Sequence, residues 1–207
     1  MYIPKAFEVT DLDKIAQIIE TYNFATLITC DEGIPNASHI PFLYDRDRGK
    51  YGTLVSHMAK ANSQWQSFGD REILTIFQGS HSYISPNWYQ TKPAVCTWNY
   101  IAIHTYGVPQ VITDIQRTEE ILQATVAKYE SQLPDPWDGS LPEKVQQQLG
   151  KALVGFEIPL TRIEAKFKLG QNRSAEDLQG VYDVLVNSTD VNQKQIAAMM
   201  KQENLIF

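Results

Sequence analysis

The sequence predicts an α+β protein built on an antiparallel β-barrel with flanking helices. Three observations predict it. Apolar runs of strand length, such as FATLITC at 24–30 and ILTIF at 73–77, are separated by turn sequences rather than by regular crossover helices. Helical periodicity is confined to an N-terminal segment, one central segment and the C-terminal end. Strand character then returns after the central helix, at 152–169, and a single antiparallel barrel gives those late strands partners.

Thr10 and Asp13 form a near capping box, and Leu12, Ile15, Ile19 and Tyr22 recur at helical spacing, which predicts a helix from Asp11 to Thr21. FATLITC, the turn Asp31-Glu32-Gly33 and IPNASHIPFLYD read as a hairpin. DRDRG at 45–49 is a second turn, and YGTLVSH at 51–57 a third strand. Residues 58–68 are expected to form a short helix or helical turn, and Arg71 to Gln78 a fourth strand. Pro86 and Pro93 keep the segment between them irregular. Thr97 to His104 reads as a fifth strand, turned by Gly107-Val108-Pro109 into a sixth from Pro109 to Thr113.

The segment Asp114 to Glu130 is a helix with Ile115, Ile121, Leu122, Val126 and Tyr129 on its apolar side. SQLPDPWDGSLP at 131–142 is a Pro- and Asp-rich surface connection rather than a domain boundary. ALVGFEIPL at 152–160 and RIEAKFKL at 162–169 are strands. Ser174 with Asp177 caps a helix over 175–186, and a last helix covers 190–203. One domain over 1–207 is therefore expected, with a C-terminal helical extension from about 175.

Composition narrows the function classes. Apolar residues make up 43% and charged residues 20% of the chain, the balance of an ordinary globular protein. No apolar run approaches bilayer length, and the first residues lack the pattern of a signal peptide, so a cytoplasmic protein is expected. Two cysteines, Cys30 and Cys96, fit a reducing compartment better than a disulfide framework. A net charge of -6 argues against direct DNA binding, which draws its affinity from phosphate neutralisation. The basic residues Arg162, Lys166, Lys168 and Arg173 stand close together against the single acid Glu164, a scale suited to one phosphate group.

The stretch from 73 to 106 is the chemical centre of the chain. It interleaves Gln78, His81, Tyr83, Asn87, Trp88, Tyr89, Trp98, Asn99 and Tyr100, and it contains no Asp or Glu. Flat amphipathic rings beside amides and hydroxyls suit a pocket for a planar polar ligand or a subunit interface. The missing carboxylates argue against glycoside hydrolysis, and no GxSxG elbow is present. The four histidines His39, His57, His81 and His104 lack the spacing of a zinc site, so no metal is expected. Ser56-His57-Met58-Ala59-Lys60-Ala61-Asn62-Ser63 leads from a strand into an expected helix start carrying one cation, an arrangement that favours a phosphate. Any redox chemistry has to come from a cofactor.

MYIPKAF at the start, ASHIPF at 37–42, YGTLVSHMAKAN at 51–62, IFQGSHSYISPNWY at 76–89, TWNY at 97–100 and FKLGQNRSAED at 167–177 together resemble the PaiB family. That family is described as FMN-binding negative transcriptional regulators of the split-barrel group, related to pyridoxamine-phosphate oxidases. The resemblance implies a split β-barrel, FMN as cofactor, and a homodimer with the flavin at the subunit interface. It implies His57, Lys60 and Asn62 at the FMN phosphate, and Lys168, Gln171, Asn172 and Arg173 at the phosphate or ribityl chain, from the same or the partner subunit. Gln78, His81, Trp98 and Asn99 are then expected around the isoalloxazine or at the dimer seam. A flavin-dependent oxidoreductase and a haem-binding split-barrel protein are the alternatives. Two positions depart from the family pattern: Cys96 replaces a proline before Thr97-Trp98, and Phe167 replaces a tryptophan between the two lysines.

Overall fold

A computed structural model describes residues 1–206, apart from the side chains of Glu143 and Gln147; residue 207, the end of the expected extension, lies outside the described residues. The chain begins with a short strand, β1 (Glu8–Val9), followed by helix α1 (Leu12–Thr21). Asp11, rather than Thr10, caps α1, its Oδ1 accepting the N–H groups of Asp13 at 2.9 Å and Lys14 at 3.2 Å. The expected hairpin consists of β2 (Phe24–Asp31) and β3 (Ile34–Pro41), paired from Phe24↔Pro41 to Asp31↔Ile34. Glu32 and Gly33 turn it with φ of 47° and 83°, the left-handed pair a two-residue hairpin requires.

Next come β4 (Leu43–Asp45), β5 (Thr53–Ala59), β6 (Ile73–Ile84), β7 (Thr97–Gly107) and β8 (Gln110–Ile112). Helices α2 (Ile115–Glu130) and α3 (Glu143–Ala152), strand β9 (Leu153–Lys168), and helices α4 (Ala175–Val186) and α5 (Val191–Gln202) complete the chain. The strands form one nine-stranded sheet in the order β3-β2-β6-β7-β9-β5-β4, with β1 and β8 also paired to β9. The α+β class with an antiparallel sheet and flanking helices is thus the one the sequence predicts.

Several elements depart from expectation. β6 continues through His81 and Tyr83 to Ile84, because its inward positions beyond Phe77 are filled by the small buried hydroxyls Ser80 and Ser82, a composition that reads as loop. The two late strands are one: the ladder with β5 reaches Pro159 opposite Thr53, and Leu160 N–H beyond it donates to the Gly52 carbonyl at 3.0 Å. Helix α3 is not predicted: its sequence EKVQQQLGKA offers only Val145 and Leu149 as large apolar residues, and Gly150 lowers its helix propensity. The short helix or helical turn expected over 58–68 is a helical turn, a 3-10 turn confined to Ser63–Ser67, because Met58 and Ala59 stay paired with Val154 and Leu153 in the sheet.

The described residues form two compact units. The first holds residues 1–15, 78–103 and those from 164 onward, and the second holds 16–77 and 104–163. In the second unit the core centres on Phe42, Phe68, Phe77 and Phe156, whose rings meet edge to face at 5.0–6.3 Å. Gln64 is buried beside it, and its Nε2 donates to the carbonyls of Leu27 and Asn36, both at 3.1 Å, and to Thr29 Oγ1 at 3.3 Å. Glu157 on β9 accepts from Arg48 and from Arg117 on α2, joining turn, strand and helix. In the first unit Ile84, Ile101, Phe167 and Leu169 are buried, as are Val181 and Leu185 of α4 and Ile196 and Met200 of α5. The carbonyl of Trp88 approaches Gly180 so closely that an added Cβ would lie 2.3 Å away.

Candidate functional site

The sequence-derived candidates fall into two groups, one per unit. In the second unit, His57 sits two residues before the end of β5, with Gly155 as its cross-strand partner. Its Nδ1 is buried and has no hydrogen-bond partner among the described residues. Burial pushes the imidazole below its ordinary 6.5, so the ring is neutral near pH 7. An orphaned buried nitrogen near the end of a strand fits a ligand that supplies the missing partner. Three residues on, the backbone of Lys60 is fixed by its N–H to the Ala152 carbonyl at 2.8 Å and by its own carbonyl, which accepts Trp65 Nε1–H at 3.0 Å. The Lys60 side chain is exposed. Asn62 is committed at both ends: its Oδ1 caps the 3-10 turn by accepting Gln64 N–H at 3.0 Å, and its Nδ2 donates to Ser38 Oγ at 2.9 Å. A five-residue 3-10 turn is no helix N-terminus for an anion, so the cation and the imidazole carry this group.

In the first unit, the outward residues of β6 and β7 form an exposed ring cluster. Trp98, 53% exposed, lies 6.1 Å from the His81 ring and 6.0 Å from Tyr83, the latter edge to face. Tyr83 also bonds Cys96, a contact that raises its phenol above the ordinary range. Gln78 is exposed on the same strand as His81, whereas Asn99 is buried. Lys168 donates to Thr97 Oγ1 and to the Trp98 carbonyl, and so fixes the backbone beneath the ring cluster. Burial first, then repulsion from Lys166 and Arg173, lowers its ammonium below the ordinary lysine range.

The rest of the late basic run is woven into the unit. Gln171 closes its own turn, donating to the Phe167 carbonyl at 2.6 Å and accepting Leu169 N–H at 2.8 Å. The guanidinium of Arg173 lies 4.3 Å over the Tyr89 ring, and Asn172 is exposed. Lys166 is buried, donates to the Tyr2 carbonyl at 3.2 Å, and lies 5.1 Å from the Tyr100 ring.

Sequence reasoning missed several partners. Ser38 and Thr97, which hold Asn62 and Lys168, carry no local signal. Asp177 read as a helix cap, yet its buried carboxylate accepts the N–H groups of Gln90 at 2.8 Å and Thr91 at 2.9 Å, and the Thr91 hydroxyl. Desolvation works to raise this carboxyl, but the Thr91 and Gln90 donors and Arg173 together hold it below the ordinary range. Among the described residues no group of three or more His, Cys, Asp or Glu stands together to hold a metal. No helix among them is long and apolar enough to cross a membrane.

Comparison with known proteins gives these groups a context. Residues 1–162 match the model of the family described as "Putative FMN-binding domain". The chain is 36% identical over 206 residues to "Protease synthase and sporulation protein PAI 2" of Bacillus subtilis (strain 168), with 98% of each chain covered. It is 27% identical to an uncharacterized protein of Emericella nidulans, over 98% of this chain and 97% of the other. Among solved structures, the flavocytochrome Anf3 from Azotobacter vinelandii matches with a TM-score of 0.59 at 12% identity, covering 80% of this chain and 72% of that one. An FAD and heme binding protein from Mycobacterium smegmatis matches with a TM-score of 0.58 at 15% identity, covering 83% and 78%. At such identities the likeness is one of fold, and it agrees with the split barrel expected from the sequence.

Proposed function

This chain belongs to the FMN-binding domain family, which includes the PaiB-like proteins, and from that premise we propose that it acts as an FMN-binding homodimer with a regulatory role. The observation that carries the reading is the buried, unpartnered Nδ1 of His57, three residues before Lys60 in the segment shared with the family. In this reading Lys60 supplies the cation for the flavin phosphate, and His57 the hydrogen bond its buried nitrogen lacks. Asn62 acts through the backbone, holding the 3-10 turn against Ser38. Bound FMN supplies reversible electron acceptance, which no side chain of the site provides.

Trp98, His81 and Gln78 present the flat and polar surface that an isoalloxazine ring needs, contributed by the partner copy. Lys168 positions Trp98 by gripping its carbonyl, and Asn99, Gln171, Asn172 and Arg173 shape the wall and turn beside it. The acidic net charge argues against direct contact with duplex DNA, so in this reading regulation runs through other partners.

The test is an absorbance scan of purified protein followed by FMN titration of the apoprotein, with light scattering for the oligomeric state. Flavin bands or saturable uptake in a dimer support the reading. Protein that stays colourless after excess FMN and desalting overturns it, and a Soret band redirects it to haem.

A further inference from the structure

The connection at 131–142, which reads as mere surface loop, walls a cavity in the second unit. The cavity measures about 830 Å³ and lies among α2, this connection and α3. That volume is in the range of small-molecule sites, roughly 300–1,000 Å³. Its apolar lining comes from Leu122 and Val126 on α2, Trp137 and Leu141 on the connection, and Leu149 and Leu153 at α3 and the start of β9. Its charged lining is of one sign. Glu119, Glu130 and Asp138 contribute carboxylates, and no lysine, arginine or histidine lines it.

These carboxylates are held in place without a cation. The Glu130 side chain accepts Trp137 N–H at 2.8 Å and so folds the connection back onto α2. Asp138 accepts Ser140 N–H at 2.8 Å. An added Cβ on Gly150 would lie 3.4 Å from Glu119 Oε1, which places that carboxylate at the α2–α3 seam. None of the three forms an ion pair among the described residues. Trp137 is 47% exposed, and a tryptophan ring at the edge of such a space attracts an alkylammonium.

We propose that this cavity binds a lipophilic amine, a hydrocarbon body carrying one protonated nitrogen. The body displaces water from the leucine and valine surface, and the ammonium meets the carboxylates and the Trp137 ring. An anionic lipid tail of the same length is repelled by the same carboxylates, and a neutral alcohol gains only the apolar part. None of the cavity residues is among the flavin candidates, so the two readings stand or fall separately.

The experiment is calorimetric titration of the full chain with octylamine, octanoate and octanol at neutral pH, each repeated on Glu119→Gln and Leu149→Trp. Octylamine is expected to bind at least tenfold more tightly than octanoate or octanol. Glu119→Gln should reduce that preference, and Leu149→Trp, which fills the space from a half-exposed position, should abolish octylamine binding. Thermal melts and far-UV circular dichroism report whether each variant is folded, and a variant that is not is replaced by Val126→Phe. Absence of octylamine binding at millimolar concentration, equal binding of the three probes, or octylamine binding that survives both Leu149→Trp and Val126→Phe would overturn the proposal.

Discussion

At the scale of single residues, His57 carries the sharpest expectation. Burial lowers its folded-state pKa, so the unfolded chain takes up a proton first as the pH falls. The stabilisation from keeping the ring neutral is complete above the ordinary 6.5 and declines as the pH drops from there towards the depressed value. Denaturant midpoints at pH 7.5 and 5.5 should therefore converge in His57→Gln relative to the parent, and a difference left unchanged would remove the argument. Lys60→Ala should weaken FMN by about tenfold, the loss of one charge-assisted contact of about 1.4 kcal/mol, read by fluorescence titration. Lys168→Met is expected to change Trp98 emission and flavin affinity together, with Lys168→Arg restoring part of both. Had Lys168 only a packing role, the arginine variant would be no better than methionine.

Elements show where helix propensity and packing disagree. Gly180 lies within α4, where propensity alone favours alanine by about 1 kcal/mol. The Trp88 carbonyl forbids it: Gly180→Ala should destabilise by about 1–3 kcal/mol through overpacking, measured by denaturant unfolding. Glu157 illustrates electrostatics at the same scale. Its hydrogen bonds to Arg48, opposed by burial and joined by those to Arg117, hold the carboxyl below the ordinary range. Its stabilisation is thus present above that range and lost as the pH falls through the depressed value. Both guanidinium groups are over one-third exposed, so Glu157→Gln should cost only about 1 kcal/mol.

Legibility followed the same physics. Helices with a cap and an apolar face, α1, α2 and α4, were readable, as was the hairpin, because local rules specify them. β6 was truncated in the reading because Ser80 and Ser82 look alike in a loop and inside a core. Helix α3 is hard to read because it carries only two large apolar residues, Val145 and Leu149, beside the helix-weakening Gly150. In the site, residue types were legible, but their partners Ser38, Thr97 and Tyr89 are distant in sequence and meet only through folding.

For the whole molecule, expectations concern assembly and linkage. Light scattering should give a dimer, and FMN at a hundredfold over its Kd should raise the unfolding free energy by about 2.7 kcal/mol, visible in thermal melts. Duplex DNA should show no binding at physiological salt, given a net charge of -6; a shift that weakens steeply with salt would instead reveal a local basic face.

Gln64 has a consequence for how the sequence can drift. Its amide nitrogen addresses two carbonyl oxygens and a hydroxyl, all in β2 and β3. Glutamate has the same shape and differs by one atom, yet it would aim an acceptor at acceptors inside a buried space. The substitution most similar by size and polarity is therefore among the least tolerated, whereas methionine loses donors without adding repulsion. A descendant of this chain should reach an apolar residue at this position sooner than an acidic one, and a library selected for folding at position 64 would display that order.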